Sequence, residues 1–246
     1  MGIEEFIDTS NKSTSVDELF KLYSQSMAAI GFDRVIFSLM TEHIAIERES
    51  GHGVIANYPA EWMSYYNENR FEVIDPVRRA IYSSNNIFTW DDLLEGDNLT
   101  KNQRNLMHMG EDAGLHNGIG VPFRGSRGAI AGVGAASSVK SLKGKDRNSL
   151  SMANLLSQQF YTVFMELEKA RVKDRAAEDL AICLSDREQE ILQWCSRGKT
   201  KWEIGQIISI SEHTVNFHIK NVMKKLDANN ISLAILRALN LGLIQL

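Results

Sequence analysis

The stretch SDREQEILQWCSRGKTKWEIGQIISISEHTVNFHIKNVMKKL, residues 185–226, contains the start signals of consecutive short helices. Ser185 and Glu188 match the capping box, in which each side chain bonds a free backbone amide at the start of a helix. Thr200 and Glu203 repeat the pattern further along. Because a helix start leaves several amides without partners, these two pairs predict where two helices begin.

A third helix start is indicated by Ser211, since serine is favoured at the N-cap position. Gly198 suits the end of the first helix. We therefore predict helices over about 186–196 and 201–208 and a third helix from 212, with a turn of three residues before it. This turn length is typical of a DNA-binding helix-turn-helix.

The third helix has an apolar face and a polar face. Its apolar stripe consists of Val215, Ile219, Val222 and Leu226. Asparagine can bond adenine through both ends of its amide, lysine can donate to guanine, and lysines near the helix end suit phosphates. We predict that the DNA-binding residues are His213, Thr214, Asn216, Lys220, Lys224 and Lys225. The alternative is a surface helix with ordinary polar residues.

The net charge of the 246-residue chain is −4, which is unusual for a DNA-binding protein. The charge is unevenly distributed, however. Residues 183–246 contain eight lysines and arginines against six acidic residues, whereas residues 1–182 contain nineteen against twenty-five. The segment with the helix-turn-helix pattern is therefore the basic one, as contact with phosphates requires.

The two cysteines, Cys183 and Cys195, lack Cys-x-x-Cys spacing, so we expect a reducing cytoplasm and no zinc site. The histidines are scattered without metal-ligand spacing, and neither a Gly-x-Ser-x-Gly turn nor a P-loop occurs. We predict no catalytic site, no metal and no cofactor. The opening MGIEEFIDTS has no apolar signal core, and no apolar run reaches the roughly 18 residues of a membrane span.

Residues 1–170 mix helix and strand patterns without a regular βαβ alternation. Helical spacing is found over about 15–31, Ala60 to Asn69, Pro76 to Ser84 and Thr100 to Ala113. Strands are predicted at Arg34 to Met40, Gly53 to Asn57, Gly118 to Arg124 and Ala129 to Ser137, the last two joined by a turn over 125–128. This order predicts an α+β fold, an α/β/α sandwich around an antiparallel sheet.

A long helix is predicted from Asp146 to about Ala170, with apolar positions that include Leu150, Leu155, Phe160, Val163, Phe164 and Leu167. The stretch KARVKDRAAEDLA that follows has mixed charge and few apolar residues, as linkers have. We therefore predict a sensor and dimerisation domain at 1–170, a linker at 171–183 and an all-α DNA-binding domain at 184–246.

The segments LSDREQEILQW, GKTKWEI, ISISEHTVNFHIKNVMKKL and NLGLI closely resemble the helix-turn-helix domain of LuxR-type regulators. Glu188, Leu192 and Gly198 fall on positions that the family uses strongly. The resemblance implies a four-helix domain, with the third helix in the major groove of DNA and the fourth, about 230–240, helping to form a dimer.

The chain departs from this family pattern at two positions of the C-terminal domain. Gly205 stands where the family usually has alanine, which is expected to weaken the second helix slightly. Ile231 stands where the family usually has arginine, which implies the loss of a phosphate contact.

The N-terminal domain lacks the acidic pair and the strand-ending aspartate of a phosphoacceptor domain. Instead, its residues resemble the acyl-homoserine-lactone-binding domain of quorum-sensing LuxR-type proteins in both order and spacing. The matching residues are Tyr58, Trp62, Tyr66, Asp75 with Pro76, Trp90 and Gly118. The resemblance thus extends over essentially the whole chain.

The resemblance implies a role for each of these residues. Trp62 would donate its indole N–H to the lactone carbonyl, Asp75 would accept the amide N–H, and Tyr58 would donate to the acyl carbonyl. Tyr66 and Trp90 would form walls of the pocket. Such a ligand is neutral and has an apolar tail, so it needs few polar partners.

Two glycines complete the predicted ligand-binding set. Gly118 belongs to the family pattern, but a glycine there also permits close packing or a bulge. Gly134 stands where several family members offer serine or threonine to the acyl carbonyl, within the small-residue run GVGAAS. A polar contact is therefore expected to be missing there, or the pocket to be roomier.

Simpler interpretations compete with the ligand-binding roles. Aromatic residues at helical spacing, such as Tyr58, Trp62 and Tyr66, commonly form a core. Asp75 before Pro76 is also a natural helix start, with the aspartate as the N-cap and proline in the first position.

The function implied by the resemblance is that of a cytoplasmic homodimer that binds an N-acyl-homoserine lactone and promoter DNA. Its expected partners are double-stranded DNA, the lactone, a second copy of the chain and RNA polymerase, with activation of transcription as the outcome. The first alternative is the same architecture responding to a different small molecule or to none. The second is an enzyme that hydrolyses lactones, which no catalytic motif supports.

Overall fold

The computed structural model describes residues 2–96, 98–125, 128–140, 146–176 and 184–244. The chain divides into two compact units, Met1–Val172 and Lys173–Leu246. The first unit is a sheet with helices and the second is entirely helical where the structure describes it. The predicted α+β fold class, with an all-α C-terminal domain, is confirmed.

The N-terminal unit contains seven α-helices and five strands within the described ranges. The helices are α1 (Ile3–Ser10), α2 (Val16–Ala29), α3 (Ala60–Glu68), α4 (Pro76–Ser83), α5 (Trp90–Glu95), α6 (Lys101–Asp112) and α7 (Arg147–Ala176). The strands are β1 (Arg34–Leu39), β2 (Gly51–Ala56), β3 (Phe88–Thr89), β4 (His116–Arg124) and β5 (Ile130–Ser137). Short 3-10 turns lie at Ile44–Ile46 and Phe71–Val73.

The five strands form one antiparallel sheet in the order β2-β1-β5-β4-β3. The centre of the sheet pairs Ile36 of β1 with Gly134 of β5, and Gly134 with Gly120 of β4. Residues 126 and 127 of the predicted β4–β5 turn lie outside the described residues, but the Gly125 amide donates to the Ala129 carbonyl at 2.8 Å across it.

The sheet is covered on both faces, as an α/β/α sandwich requires. Val35, Phe37 and Leu39 of β1 lie in a core that also holds aromatic residues of α2 and α7. The alternate residues Ile36 and Ser38 lie on the other face, towards α3 and α4. This division follows from the two-residue period of a strand, which sends successive side chains to opposite faces.

Helix α7 extends to Ala176, six residues beyond its predicted end. The predicted end was wrong because the charged stretch after Ala170 contains no glycine or proline and is rich in alanine, lysine and arginine, which are good helix formers. The buried carboxylate of Glu168 also accepts from Arg171 at 3.2 Å and from Arg48 at 2.8 Å. The predicted linker therefore begins within a helix, and its residues 177–183 lie outside the described residues.

Several short elements were not predicted. Helix α1, strand β3 and helix α5 were missed, and of these β3 and α5 are too short to show a clear period. Of the apolar positions predicted along α7, Phe160 and Phe164 are fully buried, whereas Leu155 is 54% exposed.

The C-terminal unit consists of α8 (Asp186–Ser196), α9 (Lys201–Ile207), α10 (Glu212–Lys225) and α11 (Ile231–Asn240) within residues 184–244. Both predicted capping boxes are present, and Ser211 caps α10. Gly198 has a φ of +76°, the left-handed conformation that a glycine after a helix supplies. The predicted apolar stripe of α10 is buried along its whole length.

Glu188 is held inside this domain by two kinds of contact. Its carboxylate accepts from the Ser185 amide at 2.8 Å and from the Lys225 ammonium at 2.7 Å. Burial acts to raise the pKa of Glu188, but these bonds outweigh it and hold the pKa below its usual value. The ion pair therefore joins the start of α8 to the end of α10.

The two departures from the family pattern have structural counterparts. A Cβ on Gly205 would lie 2.7 Å from the carbonyl oxygen of Ile210, so the turn after α9 is too close for alanine without a shift. Ile231 packs against the two apolar clusters of the domain. Ile231 thus contributes to the core of the domain.

No helix within the described ranges is both long and apolar enough to cross a membrane.

Candidate functional site

A cavity of about 630 Å³, part of it open to solvent, lies between the sheet and helices α3 to α6. Its walls are mostly hydrophobic, as in typical small-molecule sites. The apolar residues that line it include Ile36, Met40, Val77, Ile81, Leu106, Met107 and Leu115. Within the described part of the chain, no group of three or more histidine, cysteine, aspartate or glutamate side chains could hold a metal ion.

Six of the seven predicted ligand-binding residues line this cavity: Tyr58, Trp62, Tyr66, Asp75, Trp90 and Gly134. They come from the β2–α3 connection, α3, the start of α4, the start of α5 and β5. Trp62 and Tyr66 pack edge to face, with ring centroids 6.1 Å apart. Residues that are separated along the chain are thus brought together around one cavity.

Asp75 uses its two carboxylate oxygens differently. Oδ1 accepts from the amides of Val77 at 2.7 Å and Arg78 at 3.3 Å, so Asp75 is the N-cap of α4. Oδ2 accepts from the Tyr66 hydroxyl at 2.7 Å. Burial raises the pKa of Asp75, against the opposing effects of these hydrogen bonds and of the Arg78 charge. The capping role is therefore present, and Oδ2 retains room for another donor.

Tyr58 has a buried hydroxyl with no hydrogen-bond partner among the described residues. Burial raises the pKa of this hydroxyl, and the nearby Asp75 charge raises it further. The backbone of Gly134 lies beside it, since a Cβ added there would be 3.2 Å from the Tyr58 oxygen. The absence of a side chain at Gly134 therefore leaves space next to an unpaired donor. The indole N–H of Trp90 is likewise buried without a partner among these residues.

Gly118 does not line the cavity, in contrast to its predicted ligand-binding role. It lies behind Trp90, where an added Cβ would be 1.9 Å from the indole Cδ2. Its backbone therefore serves as the surface on which the Trp90 ring rests. The alternative of close packing describes this glycine better.

Replacing Gly118 by alanine is expected to displace the Trp90 ring and to destabilise the N-terminal domain by about 1–3 kcal/mol, the usual cost of overpacking. The measurement is the denaturant midpoint of the ligand-free protein. Gly96→Ala is the control, because its Cβ would make only ordinary contacts of 3.6 Å. Equal stability of the two variants would contradict the packing role of Gly118.

Three polar residues of the cavity were missed in the sequence: Ser38, His52 and Arg78. Arg78 donates from Nη1 to Nδ1 of His52 at 2.9 Å, and the His52 ring stacks on Tyr66 at 4.5 Å. A signal for Arg78 was available, because it lies three residues after Asp75 and so shares its side of a helix. No local signal marks Ser38 or His52, which meet only through strand pairing.

The predicted DNA-binding residues lie on α10 and around its start. His213, Lys220 and Lys224 are exposed. Asn216 is half-buried, and its Oδ1 accepts from the Lys201 ammonium at 2.6 Å. Oδ1 is also the acceptor that a contact with adenine needs, so Lys201 and adenine would share this oxygen or the Lys201 bond would open.

Thr214 and Lys225 have partners within the domain. The Thr214 amide and hydroxyl both contact the Ser211 hydroxyl, at 3.1 and 2.8 Å, so Thr214 belongs to the cap of α10. Lys225 forms the ion pair with Glu188 described above. Two large exposed aromatic residues, Trp202 and Phe217, were not predicted, although both lie on the helices of this motif.

Two family models match the chain. The autoinducer binding domain matches residues 15–163, and the luxR family of bacterial regulatory proteins matches residues 183–238. The chain belongs to the LuxR family of quorum-sensing transcriptional regulators.

Relatives of this LuxR-family regulator match it along nearly its whole length. The quorum-sensing regulator RhlR of Pseudomonas aeruginosa is 31% identical over 92% of this chain and 89% of its own. The quorum sensing-dependent transcriptional regulator RpaR of Rhodopseudomonas palustris is 30% identical over 98% of this chain and 94% of its own. Both relatives are named as quorum-sensing regulators of the helix-turn-helix type.

Solved structures are also similar to this chain over nearly its whole length. Escherichia coli SdiA has a TM-score of 0.72 and 25% identity, and covers 99% of this chain and 98% of its own. A second SdiA structure, in complex with octanoyl-rac-glycerol, has the same score and identity over 97% of this chain and 93% of its own. The LuxR-family regulator therefore combines an autoinducer-binding domain for a small molecule with a DNA-binding domain.

Proposed function

We propose that the autoinducer of this regulator is an N-acyl-homoserine lactone, bound in the cavity between the sheet and α3 to α6. The observation that carries this proposal is the Tyr58 hydroxyl, a buried donor without a partner among the described residues, in a largely apolar cavity that also exposes the Asp75 carboxylate. A buried donor left unpaired is costly, so a ligand that supplies an acceptor gains affinity.

Each polar group of the lactone head and its amide has a complementary group in the cavity. The acyl carbonyl accepts from Tyr58, the lactone carbonyl accepts from the Trp62 indole, and the amide N–H donates to Asp75. The apolar tail then lies among the aliphatic residues of the cavity. Tyr66 and Trp90 form walls, and Gly134 provides room beside Tyr58.

A second candidate is an acylglycerol, favoured by the complex of SdiA with octanoyl-rac-glycerol. Such a ligand has an ester in place of the amide, so it lacks the N–H that Asp75 would accept. Direct titration of both ligand classes separates the two candidates. Stronger binding of the lactone at equal acyl length supports the amide contact.

Replacing Tyr58 by phenylalanine is expected to weaken lactone binding by about 5- to 150-fold, because the acyl carbonyl loses its donor at a cost of roughly 1–3 kcal/mol. The same change is not expected to lower the melting temperature of the ligand-free protein, because the hydroxyl has no partner there to lose. Calorimetric titration and melting curves measure the two effects. A lower melting temperature with unchanged affinity would assign Tyr58 to the core instead.

We further propose that the regulator acts in the cytoplasm as a homodimer on promoter DNA and recruits RNA polymerase there. Residues 1–170 would bind the signal and dimerise, 171–183 would link, and 184–246 would bind DNA. A dimer fits two half-sites one helical turn of DNA apart, which is the usual arrangement for this motif. Exposure of Leu155 on α7 supports a contact between subunits along that helix.

A further inference from the structure

A second polar group lines the cavity apart from Tyr58, Trp62 and Asp75. It consists of Ser38 on β1, His52 on β2 and Arg78 on α4, and we name it the Arg78 cluster. Arg78 donates to Nδ1 of His52 at 2.9 Å. The Ser38 hydroxyl lies 3.3 Å from the same nitrogen and accepts from the Gly53 amide at 3.0 Å. The homoserine lactone head and its amide do not need these three side chains.

The hydrogen bond from Arg78 fixes the state of His52. A guanidinium has donors only, so Nδ1 must be the acceptor and the ring hydrogen must lie on Nε2. Burial and the adjacent charge of Arg78 lower the pKa of His52 to about 4, so the imidazole is neutral at physiological pH. His52 therefore has one further group to offer, the Nε2–H donor.

Arg78 has more donors than the described residues satisfy. Among the side-chain contacts of the described residues, the partner of its guanidinium is the neutral His52 ring, and no carboxylate forms an ion pair with it. The charges of Asp75 and Arg78 interact, although no side-chain hydrogen bond joins the two among the described contacts. With five N–H donors on the guanidinium, this end of the cavity offers hydrogen atoms and positive charge but little acceptor capacity.

A plain hydrocarbon chain cannot satisfy such a cluster. It would remove water from the guanidinium and return no hydrogen bond, which is unfavourable for a charged group. An oxygen acceptor in the same place would be bound by a charge-assisted hydrogen bond, which is among the stronger kinds.

We propose that the acyl group of the autoinducer carries an oxygen acceptor, as a hydroxyl, keto or carboxylate group, that is bound by Arg78 and by the Nε2–H of His52. This inference rests on the proposed function and adds to it the residues that select an oxygenated acyl group over a plain one.

The structure also limits where this oxygen lies along the acyl group. Asp75 and Arg78 are three residues apart at the start of α4, so they share one side of the helix. Tyr66 links the two places, since its hydroxyl donates to Asp75 and its ring stacks on His52. The oxygen is therefore expected on the part of the acyl chain nearest the amide.

The test compares homoserine lactones with acyl chains of equal length, either plain or carrying a hydroxyl near the amide, a hydroxyl mid-chain or a terminal carboxylate. Each is titrated into the full-length parent, Arg78→Met and Arg79→Met. Arg79 is the matched control, because it is the exposed neighbour on the same helix. The four ligands also locate the oxygen along the chain.

We expect the parent to bind at least one oxygenated lactone about 10- to 100-fold more tightly than the plain one, as a hydrogen bond to a charged group allows. Arg78→Met should abolish this preference, and Arg79→Met should preserve both the preference and the affinity for the plain lactone. The melting curve of each ligand-free variant shows whether its fold is intact.

The inference is overturned if the parent binds plain and oxygenated lactones equally, or if Arg78→Met retains the preference. The comparison of ligands on the parent decides this even if Arg78→Met does not fold. Failure of every lactone to bind the parent is a different result, because it overturns the proposed function and the inference with it.

Discussion

Asp75→Ser is expected to weaken binding of an N-acyl-homoserine lactone by about 10- to 150-fold. The melting temperature of the ligand-free protein is expected to fall only slightly. Serine is among the preferred N-cap residues, so it can replace the bonds of Oδ1 to the amides that begin α4. Its shorter side chain has no second oxygen to accept the ligand amide. The loss corresponds to roughly 1.5–3 kcal/mol, the value of a hydrogen bond to a charged group.

Two further variants separate the roles of Asp75. Asp75→Ala removes both the cap and the ligand contact, so it should lower the melting temperature as well as the affinity. Ser15→Ala removes the N-cap of α2, whose serine accepts from the Glu18 amide away from the cavity, and should lower only the melting temperature. Tyr66→Phe in the Asp75→Ser background removes the hydroxyl that would lose its acceptor.

Titration calorimetry with a lactone and melting curves without it provide both measurements. If Asp75→Ser binds the lactone as tightly as the parent, Asp75 is a helix cap alone. A methyl ester of the same acyl chain serves as the comparison ligand, because it has neither an N–H nor an O–H to donate to Asp75 and its affinity should change less.

The double variant Asn216→Ala/Lys220→Ala is expected to lose about 2–6 kcal/mol of binding to a specific operator, roughly 1–3 kcal/mol for each residue. Both side chains lie on α10 outside its buried apolar stripe, and Lys220 is exposed. Neither contributes to the core, so the helical circular dichroism signal should be unchanged. Binding to random DNA should fall much less, since base contacts supply specificity and phosphate contacts do not.

Lys224→Ala provides the contrast for this experiment. Its exposed position near the end of α10 suits a phosphate, so its loss should weaken all DNA about equally and reduce the salt slope by about 1. Lys225→Ala should instead lower stability, because Lys225 pairs with the buried Glu188. Lys21→Ala, an exposed change in the other domain, should alter neither property.

The Lys201→Ala variant tests whether the bond between Lys201 and Asn216 affects base recognition by Asn216. If the bond from Lys201 must open before Asn216 contacts a base, then Lys201→Ala should leave operator preference intact or sharpen it. The operator is obtained by selection from random DNA with the ligand-bound parent, and affinities are measured at a fixed salt concentration. If the double variant distinguishes operator from random DNA as well as the parent does, Asn216 and Lys220 do not recognise bases.

The sequence by itself determined the helix ends of the DNA-binding domain. Ser185, Thr200 and Ser211 each bond an amide three residues ahead, so the interactions that start α8, α9 and α10 lie within one turn. The buried stripe of α10 follows from helical spacing alone. Such local rules do not depend on the rest of the chain.

The cavity residues of the N-terminal domain were predicted only in part. The resemblance between whole domains identified six residues that line one cavity, five of them between Tyr58 and Trp90 and the sixth at Gly134. The end of α7 was predicted too early, because the apolar pattern ends near Ala170 whereas the helix does not. Helix propensity and the contacts of Glu168 continue that helix to Ala176.

Only the tertiary structure decided the strand order β2-β1-β5-β4-β3 and the polar lining of the cavity. Ser38, His52 and Arg78 come from three elements, and they meet because the strands pair and α4 packs across them. Gly118 likewise has its place behind Trp90 because β3 pairs with β4. Caps and periodicity are encoded over a few residues, whereas a cavity depends on side chains that the fold brings together from distant positions.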